Sequence, residues 1–180
     1  MSFFQNILNQ LTELKIRSKQ KKNPRKKEFH NLESAKNIGI LFDTLQENNR
    51  SIAKNFAEDL QKKGYKVQIV GWINADELPN FGVAQKILFY TNKDIRWSGE
   101  PIIPELIEFT NNRFDLLFVL TKSEHNSIKY ITQVSMAACK IGSLGDNCEH
   151  LDLMIDQGKN NSIENLISES LKYLSQIKKQ

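Results

Sequence analysis

The sequence is short of cysteine, with two in 180 residues. Cys139 and Cys148 cannot build a disulfide framework, and their scarcity points to a reducing compartment, with the cytoplasm as the expected location. No apolar run is long enough to cross a bilayer. The opening MSFFQNILNQLTELK is too polar for the core of a secretory signal, and no small-residue cleavage site follows it. Glycine is missing from the turn after the first apolar run, NIGILFD (37–43). A phosphate cradle needs glycine there, so that backbone N–H groups can approach oxygen, and a glycine-rich nucleotide loop is excluded at that position. Gly142 and Gly145 in KIGSLGD read as turn punctuation.

Acidic residues are absent from KIRSKQKKNPRKK (15–27), which holds eight cations: Lys15, Arg17, Lys19, Lys21, Lys22, Arg25, Lys26 and Lys27. With Glu13 and Glu28, residues 1–31 carry net +6, and the overall +4 leaves residues 32–180 at −2. The basicity belongs to the leader. A charge run is often a solvated tail, but eight cations without acids repel one another unless a partner or salt screens them. That asymmetry points to a polyanion, either RNA in a ribonucleoprotein or an anionic membrane surface.

Ahead of the cations, Phe4, Ile7, Leu8, Leu11 and Leu14 recur at helical spacing and predict an amphipathic helix, its stripe available to the rest of the chain or to a partner protein. Apolar and basic character follow one another along this helix and are not back to back, which favours RNA over a membrane interface. Pro24 ends the segment near Asn23.

From Asn31 onward strands alternate with helices. NIGILFD (37–43), KVQIVGW (66–72), QKILFY (85–90), FDLLFVL (114–120), KIG (140–142) and LDLMI (151–155) read as strands. Helices are expected around Ile52–Leu60, Pro104–Asn112, Ser127–Ala138 and Ile163–Ile177. This pattern predicts one α/β domain over 32–180, a doubly wound, mainly parallel Rossmann-like sheet, preceded by a leader over 1–31.

Two resemblances follow from these segments. The basic leader, the IGILFD strand, YTNKDIRWSGEP and DLLFVL together resemble a family of small uncharacterised bacterial proteins, which supports the domain reading without implying an activity. FDLLFVLTKSEHNSIKYITQVSMAACKIG (114–142) is similar in layout to the N-terminal half of heptosyltransferase-like glycosyltransferases. That likeness implies a shared fold, and it implies an acidic catalytic residue where Asp43 stands. Those enzymes hold the nucleotide sugar in a second domain, for which these residues leave no room.

Groups of an open parallel sheet gather at the carboxyl ends of its strands. Here those ends supply a candidate pocket of Asp43, Thr44, Thr121, Ser123, Glu124 and His125. Ser, Glu and His in TKSEHNS point in different directions on a turn, whereas nucleophile, base and orienter must converge. The simpler reading is that Asn126 or Ser127 caps the next helix. Cys139, Cys148 and His150 match no common zinc spacing, so no metal and no cofactor are expected. Phe89, Tyr90 and Trp97 beside Lys93 and Arg96 form a mixture suited to base stacking, although core and loop anchoring is the ordinary role. The composition thus favours a non-enzymatic binding module. An anionic-membrane protein and a small-ligand enzyme are the alternatives.

Overall fold

A computed structural model describes residues 3–46, 48–79, 86–145 and 150–176, and side chains from residue 10 onward. Six parallel strands form one sheet: β1 (Asn37–Asp43), β2 (Lys66–Trp72), β3 (Leu88–Tyr90), β4 (Leu116–Leu120), β5 (Cys139–Ser143) and β6 (Leu153–Ile155). Their spatial order is β3-β2-β1-β4-β5-β6, so the chain winds outward from β1 to one edge and then returns to β4 and winds to the other. This is the doubly wound, Rossmann-like arrangement, with its switch point between β1 and β4. The helices are α1 (Phe3–Lys22), α2 (Asn49–Lys62), α3 (Pro104–Asn111), α4 (Asn126–Val134) and α5 (Ile163–Gln176). No described helix is long and apolar enough to cross a membrane.

The strands read as continuous apolar runs because both faces of the sheet are covered. Ile38, Ile40 and Phe42 of β1, with Leu116, Phe118 and Leu120 of β4, face a layer formed by α2 and α5, where the Phe56 and Phe118 rings meet edge to face at 5.1 Å. Leu41, Leu117 and Val119 face the opposite layer, formed by α3 and α4. Two aspartates trim the ends of the strand runs. Asp115 accepts from the backbone N–H groups of Lys36 and Asn37 at 2.7 and 2.9 Å, and Asp152 accepts from Lys140 N–H at 2.9 Å. β4 and β6 therefore start two residues later than their apolar runs.

α4 is also shorter than its pattern, ending at Val134 instead of Ala138. Residues 135–138 are drawn out because neighbours use their backbone groups. Met136 N–H donates to Thr110 O, Ala138 N–H donates to Phe114 O, and Ala137 O and Ala138 O accept from the leader.

α1 packs on α4 through Thr12 and Ile16, both buried, with Ile16 against Tyr130 and Val134. Leu11 and Leu14 of the expected stripe are 43 and 61% exposed, and the side chains of Phe4, Ile7 and Leu8 lie outside the described residues. Lys129 donates to Glu13 at 2.6 Å, and Gln20 Nε2 donates to Gln133 O at 3.1 Å. Beyond Pro24 the chain forms a strap along the amino-terminal ends of β5 and β6. Arg25 Nη1 donates to Ala137 O at 2.8 Å, its Nη2 pairs with Asp152 at 2.6 Å, and Glu28 N–H donates to Ala138 O at 3.2 Å.

Beneath the strap lies Lys140, 1% exposed, whose ammonium donates to Gln133 O at 3.1 Å. Burial, reinforced by Arg25 and opposed by Asp152, pushes its pKa down to about 7. The unfolded chain holds this proton up to about pH 10, so the folded state binds fewer protons between about pH 7 and 10. Stability rises with pH across that window and is lowest below it.

Two stability measurements check this account. Lys140→Met is expected to raise unfolding free energy at pH 7 by about 1–4 kcal/mol and to flatten the rise toward pH 10, read from urea titrations at several pH values. Arg25→Ala, which removes a donor from Asp152 and from Ala137 O but leaves the carboxylate with Lys27 and the Lys140 N–H, is expected to cost about 1–3 kcal/mol.

Candidate functional site

The carboxyl ends of β1 and β4 define the switch point, and the structure closes it with a hydrogen-bonded pin. Asp43 is buried. Its Oδ1 accepts from Leu45 N–H at 3.0 Å and from Asn49 Nδ2 at 3.1 Å, and its Oδ2 accepts from the Thr121 hydroxyl. Thr121 Oγ1 accepts in turn from Ser123 N–H at 2.9 Å. The carboxylate thus ties the β1–α2 turn to β4. Thr44 continues the ladder, its N–H donating to Trp72 O at 3.0 Å.

His125 occupies the cap position of α4, in place of the expected Asn126 or Ser127. Its Nδ1 accepts from Ser127 N–H at 3.4 Å and lies 2.8 Å from Ser127 Oγ, which is 3.0 Å from the Tyr90 hydroxyl. The imidazole stacks on Trp72 with centroids 4.0 Å apart, and burial lowers its pKa. A serine beside a histidine resembles a nucleophile and its base, but Ser127 is fully buried, and its hydroxyl lies between His125 and Tyr90. Gly99 helps seal this end of α4. With φ at +77°, it lies so close that a Cβ there would sit 2.1 Å from Asn126 O.

The aromatic mixture does not form a stacking platform. Tyr90 is buried, Phe89 packs against Phe42, and the exposed ring of Trp97 carries Lys15 Nζ 5.0 Å above its centroid. Lys93 and Arg96 face Glu77 and Glu100 at 3.5 and 3.7 Å. Cys139 is buried with its thiol pushed up to about 12 by desolvation, which makes it an inert core residue. Cys148 lies outside the described residues, among which no cluster of metal ligands occurs.

Ser123 and Glu124 do border a cavity, of about 250 Å³, between the carboxyl ends of β4 and β5 and the inner face of α4. Thr132 and Gln133 line it as well, although neither was singled out from the sequence. Their signal is position: Thr132 lies one helical turn after the core residue Ile128, where an apolar side chain is the ordinary choice. Among the described residues, Thr132 Oγ1 and Gln133 Nε2 have no hydrogen-bond partner.

The leader's cations divide into two groups. Arg25 is committed inward, and Lys15 is held between Trp97 and Glu100, the latter at 3.8 Å. Arg17, Lys21 and Lys22 are exposed on α1, with Lys19 half-buried beside them. Lys26 and Lys27 are exposed on the strap, although their ammoniums also reach Glu28 at 3.0 Å and Asp152 at 3.4 Å. Among the described residues Lys19, Lys21 and Lys22 make no ion pair.

Asp43→Ala leaves three donors unmatched and is expected to cost about 2–4 kcal/mol of stability, measured by urea unfolding. A side chain kept for chemistry would instead leave stability nearly unchanged on removal.

No curated protein and no solved structure matches the chain. The profile of a family of unknown function, DUF6913, matches residues 9–177, a span that includes α1 from residue 9, the strap and every strand. The chain belongs to that family.

Proposed function

We propose that the protein is a non-enzymatic binding module of the bacterial cytoplasm that contacts RNA, or an RNA-containing assembly, through Arg17, Lys19, Lys21, Lys22, Lys26 and Lys27. The observation that carries this reading is that Lys19, Lys21 and Lys22 make no ion pair among the described residues, on the last turns of a helix that is itself docked. Cations at a helix carboxyl end offset its macrodipole, and that role alone accounts for one or two of them. A further three exposed cations, Arg17, Lys26 and Lys27, extend the same segment. Holding the helix against α4 removes part of the ordering cost that a disordered basic tail meets when it binds.

Phosphate contacts of this kind are sequence-blind and set a salt dependence. Arg25 contributes to folding, and Lys15 is engaged with the loop around Trp97. Six contacts give a slope of log affinity against log salt of about −4 for single strands to −5.4 for duplex.

The test is binding of the intact chain to a structured RNA by gel shift across salt concentrations. The slope is expected in that range, and replacing both Lys21 and Lys22 with Gln is expected to make it shallower by about 1.4–1.8. Absence of a shift, together with flotation on anionic liposomes, would transfer the leader's role to a membrane surface and end the RNA reading. Binding to neither would leave the cations as solubilising groups and end it equally.

A further inference from the structure

The strap carries an aromatic ring that the fold does not cover. Phe29 is 63% exposed, and Lys26 and Lys27 precede it in the same segment. A single exposed apolar residue calls for no explanation. What sets Phe29 apart is the backbone that carries it. On one side Arg25 is bound to Ala137 O and Asp152, and the Glu28 N–H donates to Ala138 O. On the other, the His30 ring lies between Asp115 Oδ1 at 3.9 Å and Ser34 Oγ at 3.4 Å. Asn31 and Ser34 then close a turn by reciprocal hydrogen bonds of 3.1 and 2.9 Å. Both chain neighbours of Phe29 are thus tied to the folded domain, and its ring projects from an anchored backbone.

The surroundings of the ring are positive. The side chains of Lys26 and Lys27 are largely exposed. Beyond His30, Lys36 and Arg113 are exposed at the amino-terminal ends of β1 and β4 and make no ion pair among the described residues. Lys36 adjoins the strap through a shared carboxylate, because its backbone N–H and the His30 ring both meet Asp115. Of the acids here, Asp115, Asp152 and Glu28 are engaged by donors, and Glu33 is exposed on the turn that follows. An anchored ring among such cations suits an unpaired strand of RNA. Such a strand carries base faces at regular intervals along its phosphates, so a base can meet the ring while neighbouring phosphates meet Lys26 and Lys27. A duplex keeps the same faces inside its own stack.

We propose that Phe29 is a stacking platform for an unpaired RNA base, set between the phosphate contacts of Lys26 and Lys27 and the positive edge of the sheet. This rests on the RNA reading above and narrows it: the target is a loop, bulge or end, held without readout of base identity. The platform adds no charge, so the salt slope set by the six cations is unaffected.

The test compares the affinity of the intact chain, by fluorescence anisotropy, for three RNAs of equal length: an unpaired strand, the same strand with abasic sites, and its duplex. Phe29→Ala is expected to weaken binding of the unpaired strand about 5- to 150-fold, the effect of one base–aromatic stack. Binding of the abasic strand and the duplex is expected to stay within about twofold, and every salt slope to stay the same. Phe29→Trp is expected to retain binding, with its added indole emission quenched by the unpaired strand alone. Phe29→Leu keeps apolar bulk, which a lipid or protein partner would accept, and is expected to behave as Phe29→Ala does. Unchanged affinity of Phe29→Ala for the unpaired strand, an equal loss on the duplex, or full binding by Phe29→Leu would overturn the stacking role and leave the RNA reading in place. Failure of the unaltered protein to bind any of the three RNAs would end both.

Discussion

The ion pair between Arg25 and Asp152 decides what the amino-terminal leader of this chain is. A guanidinium that reaches across 127 residues to a carboxylate at the start of β6, and spends another donor on Ala137 O, converts a basic leader into a strap. Its planar fork suits that double contact in a way a lysine ammonium does not. The same carboxylate also receives the Lys140 backbone N–H, so the strap, β5 and β6 share one acceptor. Directly beneath, Lys140 is buried beside the very cation that clamps it. The fold tolerates that unfavourable neighbour because Asp152 and Gln133 O compensate part of it, an arrangement that favours one register of the strap at a cost in stability.

From this clamp follows the polarity of the molecule. The strap and the exposed end of α1 lie by the amino-terminal ends of β5 and β6, whereas the cavity under α4 opens at the carboxyl ends of β4 and β5. α4 connects the two. Its outer face receives Thr12 and Ile16 of α1, its inner face lines the cavity, and the Gln133 carbonyl at its end accepts from both Gln20 and Lys140.

Most of the sheet was legible because burial on both faces leaves a coarse mark: five- to seven-residue apolar runs such as LLFVL and NIGILFD have few other uses. Handedness and short connections narrow the strand order to a few possibilities once the alternation is read, without fixing it. What was not legible depends on single long-range contacts. Arg25 reads as one cation among eight, and nothing local tells it from Lys26. Lys140 reads as a polar residue in a short strand. The early end of α4 is set by carbonyls that the strap requires, and the capping role of His125 by the Trp72 ring it stacks on. Thr132 and Gln133 sit where helical periodicity expects core, and that mismatch was a usable signal.

The family profile begins at residue 9, in keeping with α1 being part of the folded unit. Hydrogen exchange of the intact chain tests this most directly. Backbone amides of residues 12–22 are expected to exchange as slowly as those of α4, and to lose that protection when Asp152 is replaced by Ala while β1 and β4 keep theirs. Exchange of residues 12–22 at the rate of an unstructured peptide in the unaltered protein would contradict the account at its root.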